Sequence, residues 1–335
     1  MEEPREDGRG CASYDYAKFP RAFVSYRWFK PLLVALLTFV FYMVFALALI
    51  IVVVVWTGDW NYFEGIAVGY DGMDAYTGPG ALFELGSIAA ILPSLALAAL
   101  VVRDRPYSSY SSSRGGWNWG AFGKCLLVAV AVMAVDFVIE YVLDPTMPGD
   151  GISRFTTVGL VLCVVLVPFQ CLAEEYIFRG FLLQTAGAWT KLPAVGIVVS
   201  AVVFAAGHPY NEIGVIGIFC NGLVWGFVAW RTRGLEATGA IHIVNNMVAF
   251  LSSGAGLGAT TSEVTVESLV IMVAIDVVYA VAVLLLGKKY DWFTSKGDGA
   301  AAFNEKRRAK LERKRQRWEA QQGGQPQNPE PPIQR

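Results

Sequence analysis

Residues 156–180 read TTVGLVLCVVLVPFQCLAEEYIFRG. The run from Thr156 to Gln170 is apolar enough to enter a bilayer. It then meets two adjacent carboxylates, Glu174 and Glu175, followed by Arg179. An ionisable side chain at the centre of a membrane helix costs roughly 2.5–3.5 kcal/mol on insertion scales. Such a group needs partners or a polar cavity. The chain's 2 histidines also fall in apolar runs, Phe204 to His208 and His242 to Asn246. These three stretches predict one intramembrane catalytic site.

The composition agrees. Of 335 residues, 55% are hydrophobic and only 16% charged, whereas soluble domains carry about 25% charged residues. The five cysteines (Cys11, Cys125, Cys163, Cys171 and Cys220) are scattered. None has zinc-ligand or redox spacing, so they read as small packing residues. The polar leader before the first apolar run is too long for a cleavable signal, which makes that run an uncleaved anchor.

Taken in order, the sequence predicts an all-α integral membrane protein of about eight transmembrane helices with both termini cytoplasmic. A cytoplasmic leader covers 1–30. Helices 1–3 lie within 31–143, a catalytic core of helices 4–7 within 156–252, helix 8 at 267–286, and a basic, partly disordered cytoplasmic tail at 287–335. Segments 193–208 and 237–251 are short for a core that takes about 20 helical residues to cross. Such segments are tolerated where they line a cavity inside protein. In this layout 26 of the 27 Lys and Arg residues face the cytoplasm, Arg154 being the exception, as the positive-inside rule requires.

The tail segment 305–318 reads EKRRAKLERKRQRW. It is either a solvated basic helix or a surface that attracts anionic inner-leaflet lipid; no nucleic-acid partner is expected. Gly222 and Gly226 form a small-xxx-small pattern that predicts close helix packing.

Helical spacing separates the roles of the charged residues. Positions four apart share a face and adjacent ones diverge. Glu175 and Arg179 are therefore placed to pair, while Glu174 points elsewhere as the reactive carboxylate. Pro168 removes a backbone donor and is expected to bend the helix. Phe204 and His208 share a face, as do His242 and Asn246. Measured from their cytoplasmic ends at 1.5 Å per residue, Glu174, His208 and His242 lie roughly 15, 22 and 10 Å deep, so they overlap in depth. A carboxylate with a neighbouring imidazole can take a proton from water and make it a nucleophile. A second imidazole and an amide can hold an oxyanion. Together they make a hydrolase for an amide bond without a serine or cysteine nucleophile.

The ordered motifs EExxxR (Glu174, Glu175, Arg179), FxxxH (Phe204, His208) and HxxxN (His242, Asn246) resemble those of the type II CAAX prenyl endopeptidase family. That family also holds bacterial abortive-infection and bacteriocin-processing or immunity-type proteins, together the CPBP intramembrane proteases. The resemblance covers about Val158 to Ser252. It implies an eight-helix membrane protease cutting near the C-terminus of a hydrophobic or lipid-modified, membrane-tethered peptide or protein. Glu174 and His208 would activate water, His242 and Asn246 would hold the oxyanion, and Glu175, Arg179 and Phe204 would support them. A bacterial plasma membrane is the expected location.

Two readings of the chemistry stay open. No cofactor is favoured, because the HExxH signature is absent and Asn is a poor zinc ligand. The alternative is a zinc site on Glu174, His208 and His242 with an open position. The rival functions are a non-catalytic immunity factor or scaffold of the same fold and, less favoured, a transporter using the in-span acids Asp136, Glu140 and Asp276.

Overall fold

The computed structural model describes residues 5–6, 12–63, 75–143, 151–257, 264–297 and 299–322. Each predicted apolar segment coincides with a helix. These are α1 (Lys30–Thr57), α2 (Gly78–Val102), α3 (Trp119–Leu143), α4 (Thr157–Thr190), α5 (Pro193–Ala206), α6 (Glu212–Thr232), α7 (Glu236–Gly254) and α8 (Val266–Lys289). A further helix, α9 (Ala301–Gln322), carries the basic segment. A two-residue antiparallel pairing, Arg5–Glu6 with Ala12–Ser13, precedes them. The chain is an all-helical integral membrane protein. Among the described residues six helices are long and apolar enough to cross a membrane, while α5 is a shorter apolar helix.

Local chemistry sets the boundaries. Pro31 sits in the first turn of α1, where its missing N–H has no intrahelical partner to lose, and Gly58 ends that helix at φ 68°. The Thr156 hydroxyl accepts from the Gly159 amide at 3.0 Å to start α4. Asn211 and Thr265 do the same for α6 and α8. Along α1 the large side chains Leu36, Phe39, Val44 and Val55 are exposed. An apolar face of this kind suits hydrocarbon rather than water.

One core joins α3, α6, α7 and α8 around Trp225, Ile241 and Tyr279. The glycine pattern on α6 packs against α5. A Cβ added at Gly222 would lie 2.9 Å from both Cα and Cβ of Ala201, and one at Gly226 would lie 3.0 Å from Ile197. This packing sets Phe204 on α5 near Trp225 on α6.

The end of the bundle holding the C-terminus of α4 and the N-terminus of α7 is closed by buried polar groups. Arg114 pairs with Glu236 at 2.5 Å, and the Asn118 amide donates to the same carboxylate at 2.8 Å. Arg105 donates to Gln184, and its guanidinium lies 3.8 Å from the Tyr110 ring centroid. The leader is part of this closure: a 3₁₀ helix, Tyr16–Ala22, packs beside α4, and the Tyr16 hydroxyl donates to the Tyr110 carbonyl at 2.9 Å.

Candidate active site

The site grows from a change of winding in α4. The helix is α-helical through Glu174, with Pro168 inside it, and becomes a π-helix over Glu175–Leu182. Such wide turns recur at functional sites. Here the change falls between the two adjacent glutamates.

Glu175 and Arg179 pair at 3.1 Å, both fully buried, which is the pairing their spacing predicts. The sequence layout puts Arg179, like every Lys and Arg but Arg154, on the cytoplasmic side. It lies instead inside α4, and its guanidinium stands 4.2 Å from the Phe204 ring centroid and 5.4 Å from that of Trp225. Aromatic faces attract a cation that has left water.

His242 on α7 meets both glutamates. Its Nδ1 is 2.9 Å from Glu175 Oε1, and its Nε2 is 3.2 Å from Glu174 Oε2. The carboxylates diverge as adjacent residues must, yet they reach one imidazole because its nitrogens point in different directions. A carboxylate accepts and does not donate unless protonated. Satisfying both contacts with ionised glutamates makes His242 an imidazolium. Two carboxylates, one imidazolium and one guanidinium then form a closed neutral set, as burial demands.

One turn away a second pair crosses the same two helices. Asn246 Nδ2 donates to Gln170 Oε1 at 3.1 Å, and Asn245 Nδ2 donates to Asn246 Oδ1 at 3.1 Å. Gln170 is four residues before Glu174 and Asn246 is four after His242. Facing i,i+4 pairs therefore form two rungs between α4 and α7. The Cys171 thiol lies between them, 3.3 Å from Gln170 Oε1 and 3.5 Å from the His242 carbonyl.

His208 departs from its predicted helical position. α5 ends at Ala206, and His208 lies two residues beyond it. The cause is local: Gly207 caps the helix, and Pro209 disfavours helical geometry in the residue before it. His208 Nδ1 bonds the Phe204 carbonyl at 2.8 Å. A carbonyl only accepts, so Nδ1 carries a proton, and it is Nε2 that can offer a lone pair. Phe204 stands between the two histidines, its ring centroid 4.6 Å from His208 and 6.2 Å from His242. The predicted Glu174–His208 pairing is not a direct contact in this structure; the imidazole on Glu174 is that of His242.

The implied zinc set is likewise not assembled. Among the described residues no group of three or more His, Cys, Asp or Glu side chains is arranged to hold a metal ion. Glu174, His208 and His242 in this arrangement do not fit one.

Sequence reasoning passed over Gln170 and Trp225. Asp276 on α8 accepts from Trp225 Nε1 at 2.8 Å and from Asn221 Nδ2 at 3.0 Å. The Trp225 ring in turn lies 4.9 Å from the His242 ring. The signal was present: an acid in an apolar span needs donors, and Asn221 and Trp225 are donors four residues apart on another span. Asp136 is half-buried on α3, and the Glu140 side chain lies outside the described residues.

Residues 156–248 match a family model described as type II CAAX prenyl endopeptidase Rce1-like. A curated relative, the uncharacterized protein YyaK of Bacillus subtilis (strain 168), is 32% identical over 167 residues. That match covers 47% of this chain and 55% of YyaK, so the chain spans about half the length of the relative it matches. No solved structure matches. The matched segment contains Glu174, Glu175, Arg179, Phe204, His208, His242 and Asn246, so the segment that carries the site is the one similar to the Rce1-like type II CAAX prenyl endopeptidase family.

Proposed function

We propose that this protein is an intramembrane endopeptidase that hydrolyses a peptide bond in a membrane-tethered or hydrophobic substrate, with Glu174 as the base. The observation that carries this reading is the Glu174–His242 contact at 3.2 Å, the imidazole being held from its other side by the buried Glu175–Arg179 pair. Glu174 is the more accessible of the two glutamates.

Glu174 takes a proton from water as the oxygen bonds to the scissile carbonyl carbon. The Asn246 amide, with one N–H on Gln170, has a second N–H for the developing oxyanion. The carbon–nitrogen bond then breaks, and the leaving amine takes the proton back from Glu174. His242 steadies the charge on Glu174 through Nε2–H; with both nitrogens engaged, it reaches the oxyanion only when Glu174 turns away. His208, with its Nε2 lone pair, is the second base and shares the water's proton across the Phe204 side. These assignments need no metal. The substrate is a CaaX-type C-terminal tail or a bacterial peptide or membrane protein, and the location is a bacterial plasma membrane.

The test is cleavage of a farnesylated CaaX peptide and of several hydrophobic peptides by purified protein in detergent, wild type beside Glu174→Gln, with and without a strong chelator. Cleavage lost in Glu174→Gln and indifferent to chelator supports the reading. Loss with chelator and recovery with zinc reverses the metal assignment. A folded wild type that cleaves none of the peptides shifts weight to an immunity factor or scaffold of the same fold.

A further inference from the structure

The basic segment forms one continuous helix, and most of its basic residues gather on one side of it. Residues 301–318 of α9 hold eight Lys or Arg and two Glu. At 3.6 residues per turn, Lys306, Lys310, Arg313, Lys314 and Arg317 fall on one side. Glu305 and Glu312, seven apart, fall on the opposite side together with Arg308 and Arg315, and Arg307 lies at the edge of the basic side. Leu311 and Trp318, also seven apart, border the basic side, and both are exposed, at 53% and 59%. A helix built only for solubility has no need to expose a leucine and a tryptophan beside a group of cations.

The first turn of α9 is docked, and the docking sets its direction. The Phe303 ring packs edge-on against Phe23 at 5.5 Å. Asn304 accepts from the Val24 amide and donates to the Ala22 carbonyl, each at 2.9 Å. Arg307, one turn on, lies close enough to Lys30 for their charges to repel, Arg27 adds to that repulsion, and Asp104 attracts Lys30 from the protein side. Lys30 is the first residue of α1, and the exposed leucines Leu32, Leu33 and Leu36 follow it directly. The start of α9 therefore sits at the level where the chain enters the membrane. Exposed aromatic residues mark the same level: Trp28 is 67% exposed, and its carbonyl accepts from Trp189 Nε1 at 2.8 Å. Aromatic rings collect at membrane–water boundaries.

Asn304, Arg307, Leu311, Lys314 and Trp318 follow each other at spacings of three and four, so they line one side of α9. The side that grips the leader at Asn304 thus continues, one to three turns later, as Leu311, Lys314 and Trp318. Beyond the protein, at this level, lies the bilayer surface. We propose that this side of α9 lies on an anionic lipid surface beside the N-terminal end of α1. Lys and Arg meet lipid phosphates there, and Leu311 and Trp318 enter the headgroup boundary. Arg27, Lys30 and Arg307, three cations that share the single acid Asp104 in the interactions of Lys30, gain further counter-charge from the same headgroups. This proposal does not depend on the catalytic reading.

The test uses full-length protein in nanodiscs of neutral phosphatidylcholine or of phosphatidylcholine with about 30% phosphatidylglycerol, the anionic charge that polybasic helices respond to. Amide hydrogen exchange is followed in peptides covering 301–322. Exchange is expected to slow about tenfold or more in the anionic discs, and to revert near 0.5 M salt, where screening shortens to about 4 Å. The fourfold Lys306→Gln, Lys310→Gln, Lys314→Gln and Arg317→Gln variant should exchange alike in both discs. The opposite-face variant Glu305→Gln with Glu312→Gln should keep the slowing. Equal exchange of the wild type in both discs overturns the proposal. So does slowing that survives the fourfold substitution, or slowing produced in neutral discs by an added RNA oligonucleotide and absent with anionic lipid.

Discussion

The Asn246 amide donates to the Gln170 side-chain oxygen across 3.1 Å, one helical turn from the Glu174–His242 contact. Gln170 fixes which way the Asn246 amide faces and leaves its second N–H to serve a substrate oxygen. Gln170→Met keeps length and volume but removes the acceptor. We expect kcat to fall about tenfold with KM little changed, against about 10²-fold for Asn246→Ala, the loss typical of one oxyanion donor. The double variant should be no slower than Asn246→Ala alone, since Gln170 acts only through Asn246. Additive losses in steady-state kinetics would show that the two residues act separately.

The Glu175–Arg179 pair predicts an asymmetric stability pattern. Removing one member of a buried pair strands the other charge and costs about 3–5 kcal/mol. Arg179→Met is therefore expected to lower the unfolding midpoint in detergent sharply. It also removes the cation from the Phe204 and Trp225 faces. Adding Glu175→Gln should recover part of the loss, because it neutralises the stranded carboxylate while keeping an acceptor for His242 Nδ1. A double variant less stable than Arg179→Met would argue that the His242 imidazolium alone is counter-charge enough for Glu175.

What the sequence made legible follows from the range of each interaction. Glu175 and Arg179 are four apart on one helix, and their pairing needs no knowledge of the other helices. Helix positions followed from apolar runs, because hydrocarbon leaves the backbone few alternatives. The imidazole partner of Glu174 was different in kind. It depends on how α4 and α7 pack, on the switch to π winding at Glu175, and on the break at Gly207–His208–Pro209. No pattern of hydrophobicity registers these. Gln170 looked like one polar residue in an apolar run, and only its rung with Asn246 gives it a role. Trp225 is harder to single out: among 10 tryptophans, only its place four residues after Asn221 marks it as a donor for an in-span acid, and which acid depends on how α6 and α8 pack.

Asp276 predicts a link from α8 to the site through Trp225. Trp225→Phe keeps a ring against His242 but leaves one Asp276 oxygen with no donor. An unsatisfied buried acceptor costs about 1–3 kcal/mol, so stability should fall while cleavage is largely kept. Asp276→Asn keeps an oxygen for one donor and loses the other, and it should destabilise by a similar amount. If Trp225 steadies the imidazole, Trp225→Leu should lower kcat about tenfold beyond any effect of Trp225→Phe, as expected when a catalytic group is held less precisely. Equal kcat in the Phe and Leu variants would reduce Trp225 to a packing residue.

Gly222 predicts the sensitivity of the α5–α6 interface. A Cβ there would lie 2.9 Å from both Cα and Cβ of Ala201, closer than carbon atoms pack without one helix moving. Extra carbon in a filled interface typically costs about 1–3 kcal/mol, so Gly222→Ala should lower the unfolding midpoint measurably. Adding Ala201→Gly removes the opposing methyl group but leaves the backbone of α5 just as near, so recovery should be partial. The consequence reaches the site, because Phe204 is three residues after Ala201 and Trp225 three after Gly222. Separating the helices draws both rings away from Arg179 and His242. Cleavage should therefore fall in Gly222→Ala and return with stability in the double variant. An unfolding midpoint unchanged by Gly222→Ala would mean that α5 and α6 can part without cost, and that their packing does not set the distance between Phe204 and Trp225.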